Sequence, residues 1–206
     1  MAAPPRLVVI TDWRLPRARL LAALERALEV GPEVAVQHRH PEATARRFLE
    51  EARLLAGLCG TKNPLFINGR LDVALLVGAH LHLPAGSFRA EDVREHLPTG
   101  RLLSVAVHDE EEAARAEGAD LALVSPVFAP GSKPGDTRPT LGPEGYRRLA
   151  ARLPCPALAL GGITVERARQ LEGAAGYAVI SAVLEAEDPE STARELCGAP
   201  LPPGVG

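Results

Sequence analysis

Short apolar runs rich in Val, Ile and Leu alternate with segments whose apolar positions recur every three or four residues, and the alternation runs along most of the chain. Leu7-Val8-Val9-Ile10-Thr11 predicts a strand. Leu20, Leu21, Leu24 and Leu28, behind Pro16, predict an amphipathic helix that Gly31-Pro32 stops. The pattern repeats with a strand from Val34 to Gln37 and a helix from Pro41 to Leu58 ended by Gly60. Leu65 to Asn68 leads into a short helix from Leu71 to Val77, and Ala79 to Leu83 into a helix from Ala90 to Leu97. Leu102 to Val107 precedes a helix from Asp109, its expected cap, to Glu117. Leu121 to Val124 is followed by a helix from Gly145 to Leu153, and Ala157 to Leu160 by one from Val165 to Leu171. Tyr177 to Ile180 is the eighth strand, and a last helix spans Pro189 to Leu196. Residues 125–142 break the rhythm: they are rich in Gly, Pro, Ser and Thr and longer than an ordinary strand-to-helix connection, a kind of loop that often carries function.

Eight strand-helix units of about 25 residues each fit the compact end of the (β/α)8 TIM barrel, an α/β fold. The expected organisation is one domain over residues 1–199, with residues 200–206 a loose tail. The rival is a doubly wound open sheet, which announces a dinucleotide by Gly-x-Gly-x-x-Gly after its first strand; here that strand runs into Thr11-Asp12-Trp13. With 46% hydrophobic and 24% charged residues, the chain has the material for a globular core. A net charge of -3 offers no general attraction to nucleic acid or to an anionic membrane. No run approaches the roughly 18 apolar residues of a membrane span, and the start lacks the charge and length of a signal peptide, so a cytoplasmic protein without nucleic-acid or membrane partners is expected. Cys59, Cys155 and Cys197 are odd in number and widely spaced, which suggests neither a disulfide framework nor a zinc knuckle.

In a barrel, function belongs to the C-terminal ends of the strands and the loops beyond them. Gly161-Gly162 after strand seven and Ile180-Ser181 after strand eight match the standard phosphate cradle, in which glycines admit an anion to backbone N–H groups and a following helix adds its dipole. A tight turn is the plainer explanation of Gly161-Gly162. Gln37 and Arg39 share one face of strand two, and the Arg39 fork suits a carboxylate or diphosphate unless it is spent on a salt bridge within the barrel. Only two of the 23 basic residues are lysines, and one of them, Lys133, sits between Gly131 and Gly135 in the long loop, able to close over an anion or simply to be solvated. His108, at the end of strand five, is the best acid/base candidate. His38 with His40, and His80 with His82, form His-x-His pairs that some metal sites use, so a metal-dependent hydrolase is an alternative, although later strands add few further ligands.

Taken in order, Ile10-Thr11-Asp12, Val36-Gln37-His38-Arg39, Ile67-Asn68-Gly69-Arg70-Leu71-Asp72, Ser104 to His108, Ser125-Pro126-Val127-Phe128, Lys133, Leu160-Gly161-Gly162-Ile163 and Val179-Ile180-Ser181-Ala182 resemble the thiamine phosphate synthase and thiazole tautomerase superfamily. The synthase joins a pyrimidine diphosphate to a thiazole phosphate. Its pattern includes Asn-Asp-Arg and Gly-Gln-x-Asp, whose acidic residues hold magnesium; here those acids are replaced by Gly69 and Ser87, and the synthase lysine after Gln-x-Arg by His40. Asn68-Gly69-Arg70 and Leu83-Pro84-Ala85-Gly86-Ser87-Phe88 resemble instead the TenI-like thiazole tautomerases. That branch implies an isomerase of thiamine biosynthesis that aromatises a carboxythiazole phosphate by acid/base proton transfer, with no metal and no cofactor. In that reading Gly161, Gly162, Ile180 and Ser181 hold phosphate. Arg39, Gln37, Asn68 and Lys133 hold the carboxylate and ring, His108 moves the proton, and a phosphorylated thiazole is the partner. A homodimer is plausible for such a barrel. The alternatives are a synthase with an altered magnesium site and a non-catalytic metabolite-binding regulator.

Overall fold

Strand pairing follows chain order and closes on itself. In the computed structural model, which describes residues 3–129, 139–171 and 173–198, β1 (Leu7–Ile10), β2 (Val34–His38), β3 (Leu65–Asn68), β4 (His80–Leu83), β5 (Leu103–Val107), β6 (Leu121–Val124), β7 (Ala157–Leu160) and β8 (Gly176–Val179) are all parallel, and β8 pairs back onto β1. The expected TIM barrel is the fold. Lys133 and residues 200–206 lie outside the described residues.

Each strand is buried on both faces, which is why the strands read as near-continuous apolar runs. Outward residues such as Leu7, Val9, Val34, Val36, Leu65 and Ile67 form one core beneath the helices. Inward residues, among them Val8, Ala35, Phe66, Leu121 and Leu158, form a second core inside the barrel. The helical layer begins with α1 (Arg17–Leu28), whose Leu20, Leu24 and Ala27 are fully buried, and α2 (Ala45–Cys59), which Thr44 caps by accepting from Arg47 N–H at 3.3 Å. It continues through α3 (Leu71–Val77), α4 (Ala90–Arg94) and α5 (Glu110–Ala114). Asp109 caps α5 as expected, accepting from Glu112 N–H at 2.8 Å.

After α5 come α6 (Gly142–Ala150), α7 (Val165–Ala168), α8 (Ser181–Leu184) and α9 (Pro189–Gly198). Several helices depart from their expected bounds: α2 starts at Ala45 rather than Pro41, and α5 and α7 each end three residues sooner than expected, at Ala114 and Ala168. α6 starts three residues early because Pro143 fits the first turn of a helix, where no N–H is needed. α4 ends at Arg94 although Leu97 is buried, so burial there is achieved by a turn. Among the described residues, no helix is long and apolar enough to cross a membrane.

Candidate functional site

Period-two alternation aims one residue near the end of every strand into the barrel mouth. Together with the first residues of the loops they enclose a cavity of about 330 Å³, within the range of small-molecule sites. The cavity brings together Gln37, Arg39, Asn68, His108, Gly161, Gly162, Ile180 and Ser181, every expected site residue that the structure describes. A second hollow of about 450 Å³, between Trp13, Arg17 and the start of α2, is larger, but its Glu51 is already satisfied by Arg47 at 2.9 Å and His40 at 2.7 Å. The barrel mouth carries the convergent, unspent groups and is the better candidate.

β2 and β3 supply amides and a cation. Asn68 Nδ2 donates to Gln37 Oε1 at 3.1 Å, which orients both amides and leaves the Gln37 NH2 and Asn68 carbonyl for a ligand. Arg39 is exposed at the mouth, and among the described residues its guanidinium has no carboxylate partner, so the salt bridge considered above does not form. Its backbone is clamped: Thr11 Oγ1 donates to Arg39 O at 3.1 Å and accepts from Arg39 N–H at 3.0 Å. Thr11 is a residue whose role the sequence concealed, because the partners lie 28 positions apart.

β4 and β5 supply two imidazoles in different surroundings. His82 is buried, with Nδ1 2.9 Å from Ser104 Oγ on β5. Burial pushes its pKa down to about 3, and the nearby Arg39 and His108 push the same way, so it is neutral. His108 is held by Glu112 one helical turn on, whose Oε2 accepts from the backbone N–H at 2.7 Å and contacts Nδ1 at 2.7 Å. A carboxylate only accepts, so Nδ1 carries the proton and Nε2 is left as the free ring nitrogen of a cavity-lining residue. The four-residue spacing of His108 and Glu112 was a signal available in the sequence.

β6, β7 and β8 present mainly backbone and apolar surface. Gly161 has φ 100° and Gly162 φ 60°, and a Cβ on them would lie 2.9 Å from Pro126 Cα and 2.5 Å from the Ala129 carbonyl oxygen. Both glycines are therefore demanded by a close approach of the segment after β6, which continues the ladder through Val127 N–H to Leu160 O at 2.9 Å and Phe128 N–H to Gly161 O at 3.0 Å. The tight-turn explanation holds for the glycines, and the same turn lines the cavity. α8 is a single turn, so its dipole adds less than a full helix would.

Of the His-x-His pairs, His38 and His80 resolve into packing, whereas His40 bonds Glu51 and His82 lines the cavity. Trp13 Nε1 donates to His38 Nδ1 at 3.2 Å, so His38 Nε2 carries the proton and donates to Phe48 O at 3.1 Å; both nitrogens are spent outside the barrel, under α2. His80 Nδ1 accepts from Leu102 N–H at 2.9 Å deeper in the barrel, against Phe66. Burial pushes the pKa of each down to about 4. Among the described residues, no group of three or more His, Cys, Asp or Glu is arranged to hold a metal ion.

The carboxylates beside the mouth are already engaged, Glu112 with His108 at 2.7 Å. Asp12 pairs with Arg14 at 2.5 Å and Asp72 with Arg70 at 2.6 Å, and these hydrogen bonds hold both carboxyls below their ordinary range. Among the described residues, no Asp or Glu lines the cavity. The two positions at which the synthase pattern has acids are Gly69, just past β3, and the exposed Ser87, in the turn past β4.

Residues 7–183 match the family model described as Thiamine monophosphate synthase. The chain is 38% identical over 197 residues to the thiamine-phosphate synthase of Chloroflexus aurantiacus, covering 93% of this chain and 90% of that one. It is 39% identical over 198 residues to the thiamine-phosphate synthase of Chlorobium luteolum, covering 93% and 91%. A solved structure, thiamine phosphate pyrophosphorylase from Pyrococcus furiosus, matches with a TM-score of 0.77 and 33% identity over 93% of each chain. These relatives overturn the expectation of a thiazole tautomerase and of an isomerase, because they are named for the synthase, a transferase. That expectation rested on Gly69 and Ser87, two turn positions where a side chain changes without disturbing the barrel. Nearly the whole length of the chain follows the synthases, and it belongs to the thiamine monophosphate synthase family.

Proposed function

We propose that this chain catalyses the synthase reaction of its family, joining a pyrimidine diphosphate to a thiazole phosphate with release of diphosphate. The observation that carries the reading is identity of 38–39% with named thiamine-phosphate synthases over 93% of the chain. In this reading the backbone of Gly161, Gly162, Ile180 and Ser181 receives the thiazole phosphate, as in other barrels. Arg39, with the Gln37 and Asn68 amides, receives the diphosphate, and Lys133 is a further candidate for that anion. His108 offers Nε2 as an acceptor to the heteroaromatic substrates. The thiazole ring nitrogen forms the new bond to the carbon that bears the diphosphate, the bond from that carbon to oxygen breaks with its electron pair leaving on diphosphate, and Arg39 stabilises the charge that develops. The partners are two phosphorylated small molecules, and a cytoplasmic setting goes with them.

Magnesium is implied by the resemblance to synthases, but the residues here do not fit it. A hard cation needs oxygen ligands, chiefly carboxylates, and the mouth offers a guanidinium, imidazoles and amides instead. The test supplies both substrates to the purified protein and follows thiamine phosphate and diphosphate against a protein-free control. Formation of the two products in equal amounts is expected, and their absence from a folded protein overturns the reading.

A further inference from the structure

The cavity has the wrong charge to hold a cation and the right charge to hold an anion unaided. Of the residues that line it, none is Asp or Glu, while Arg39 is a cation without a carboxylate partner among the described residues. Gly69 and Ser87 bring no anionic oxygen, and Asp72, the acid closest in sequence to Gly69, is turned to Arg70 through two hydrogen bonds of 2.6 and 2.9 Å. Asp12 is likewise held by Arg14 in two bonds of 2.5 and 2.8 Å. Recruiting either to a metal would mean breaking a forked ion pair.

We propose that the barrel mouth binds the diphosphate group directly, without a divalent cation, through the Arg39 guanidinium and the amide pair of Gln37 and Asn68. The inference rests on the synthase reading for the identity of the anion. Its physical basis is the sign of the local field: a site built around carboxylates repels diphosphate until a metal arrives, whereas a site with one unpaired guanidinium and no carboxylate attracts it from the outset. The rest of the mouth is consistent with that arrangement. The Thr11 clamp on both backbone groups of Arg39 sets the cation's origin at the rim. The hydrogen bond from Asn68 to Gln37 spends one N–H and one carbonyl on each other, so that an NH2 remains for an anion beside the guanidinium. A metal ion entering this mouth would meet neutral donors and a positive charge, with no carboxylate among the described lining residues.

The experiment is calorimetric titration of inorganic pyrophosphate into the full chain, once in chelator and once in millimolar Mg2+, with Mn2+ alone titrated in parallel. Binding in chelator is expected, with Mg2+ leaving the affinity unchanged or lowering it, since the free cation competes for pyrophosphate, and with no stoichiometric Mn2+ binding. Arg39→Gln should weaken pyrophosphate binding about tenfold or more, as loss of a charge-assisted fork would, while thermal melting shows the exposed substitution to be folded. Pyrophosphate binding that requires Mg2+, stoichiometric Mn2+ binding by the protein alone, or binding indifferent to Arg39→Gln would each overturn the proposal. The coupling assay separates the two levels of inference. Metal-free, Arg39-dependent binding without thiamine phosphate formation sinks the synthase reading and keeps the anion site. Turnover strictly dependent on Mg2+ keeps the synthase reading and sinks the metal-free site.

Discussion

The two halves of the cavity wall are built on different principles. From β2 to β5 the wall is made of polar side chains: Gln37, Arg39, Asn68, His82 and His108 reach inward or sit on the rim. From β6 to β8 it is made mainly of backbone and apolar residues such as Leu123, Leu160, Gly161, Gly162 and Ala178, with the hydroxyls of Ser125 and Ser181 among them. Chemistry on the first half resides in atoms beyond Cβ and is exchangeable one residue at a time. On the second half it resides in the path of the main chain, which packing against residues 126–129 enforces. The first half can change one side chain at a time without moving the backbone, while the second is tied to the fold.

Acid is expected to break the comparison most severely, because the buried imidazoles His38, His80 and His82 all come from β2 and β4. Their folded pKa values of about 4, 4 and 3 lie below the ordinary 6.5, so the unfolded chain binds more protons below pH 6.5 and stability falls as pH drops from there towards 4. Each contributes a loss of about 2 kcal/mol at pH 4.5 by that linkage. Denaturation midpoints across pH 7 to 4.5 measure the total, and hydrogen exchange should show β2 to β4 opening before β6 to β8 in that range.

Next comes the backbone half. Gly162→Ala places a methyl 2.5 Å from the Ala129 carbonyl oxygen in a left-handed conformation. It should cost about 3 kcal/mol, combining steric clash with backbone strain, and chemical denaturation reads the loss directly. A variant as stable as the parent would show that residues 126–129 yield easily and that this half is not tied to the fold.

On the polar half the effects shrink. Thr11→Val removes both hydrogen bonds to the Arg39 backbone and should cost about 2 kcal/mol, the price of a buried donor left unpaired, whereas Thr11→Ser should restore most of it. Pyrophosphate affinity measured on both variants tells whether the clamp also places the guanidinium. Smallest in stability is Glu112→Ala, worth about 1 kcal/mol or less because His108 and Glu112 are each about a quarter exposed. Its expected signature is functional: turnover falls about tenfold as the His108 ring loses its orientation. An unchanged rate with a correctly folded protein would remove the His108–Glu112 pair from the mechanism.

The barrel was legible because both strand faces are buried, so each strand announces itself as an apolar run and each helix by its apolar stripe. The rim was legible for the same reason: once the strands are placed, Gln37, Asn68, Gly161 and Ser181 fall at or just past their ends. Contacts such as Thr11 to Arg39, His82 to Ser104 and Trp13 to His38 were not, since they join residues 22 to 28 positions apart across neighbouring strands and loops. The reaction class was not legible, because Gly69 and Ser87 point to one branch while the resemblance spread over the whole chain points to the other.

Hydrophobic periodicity and strand count by themselves determined a closed eight-stranded barrel and the set of residues at its mouth, because burial of apolar surface is satisfied by local pattern and chain order. Only the tertiary structure decided what those residues do there. It showed that Arg39 joins no ion pair among the described residues and that His38 and His80 are packing groups. It also oriented His108 through Glu112, turned Asp12 and Asp72 away to arginines, and showed that Gly161-Gly162 yields to a neighbouring loop. Those outcomes depend on hydrogen bonds and fields between groups distant in sequence, which no local pattern encodes.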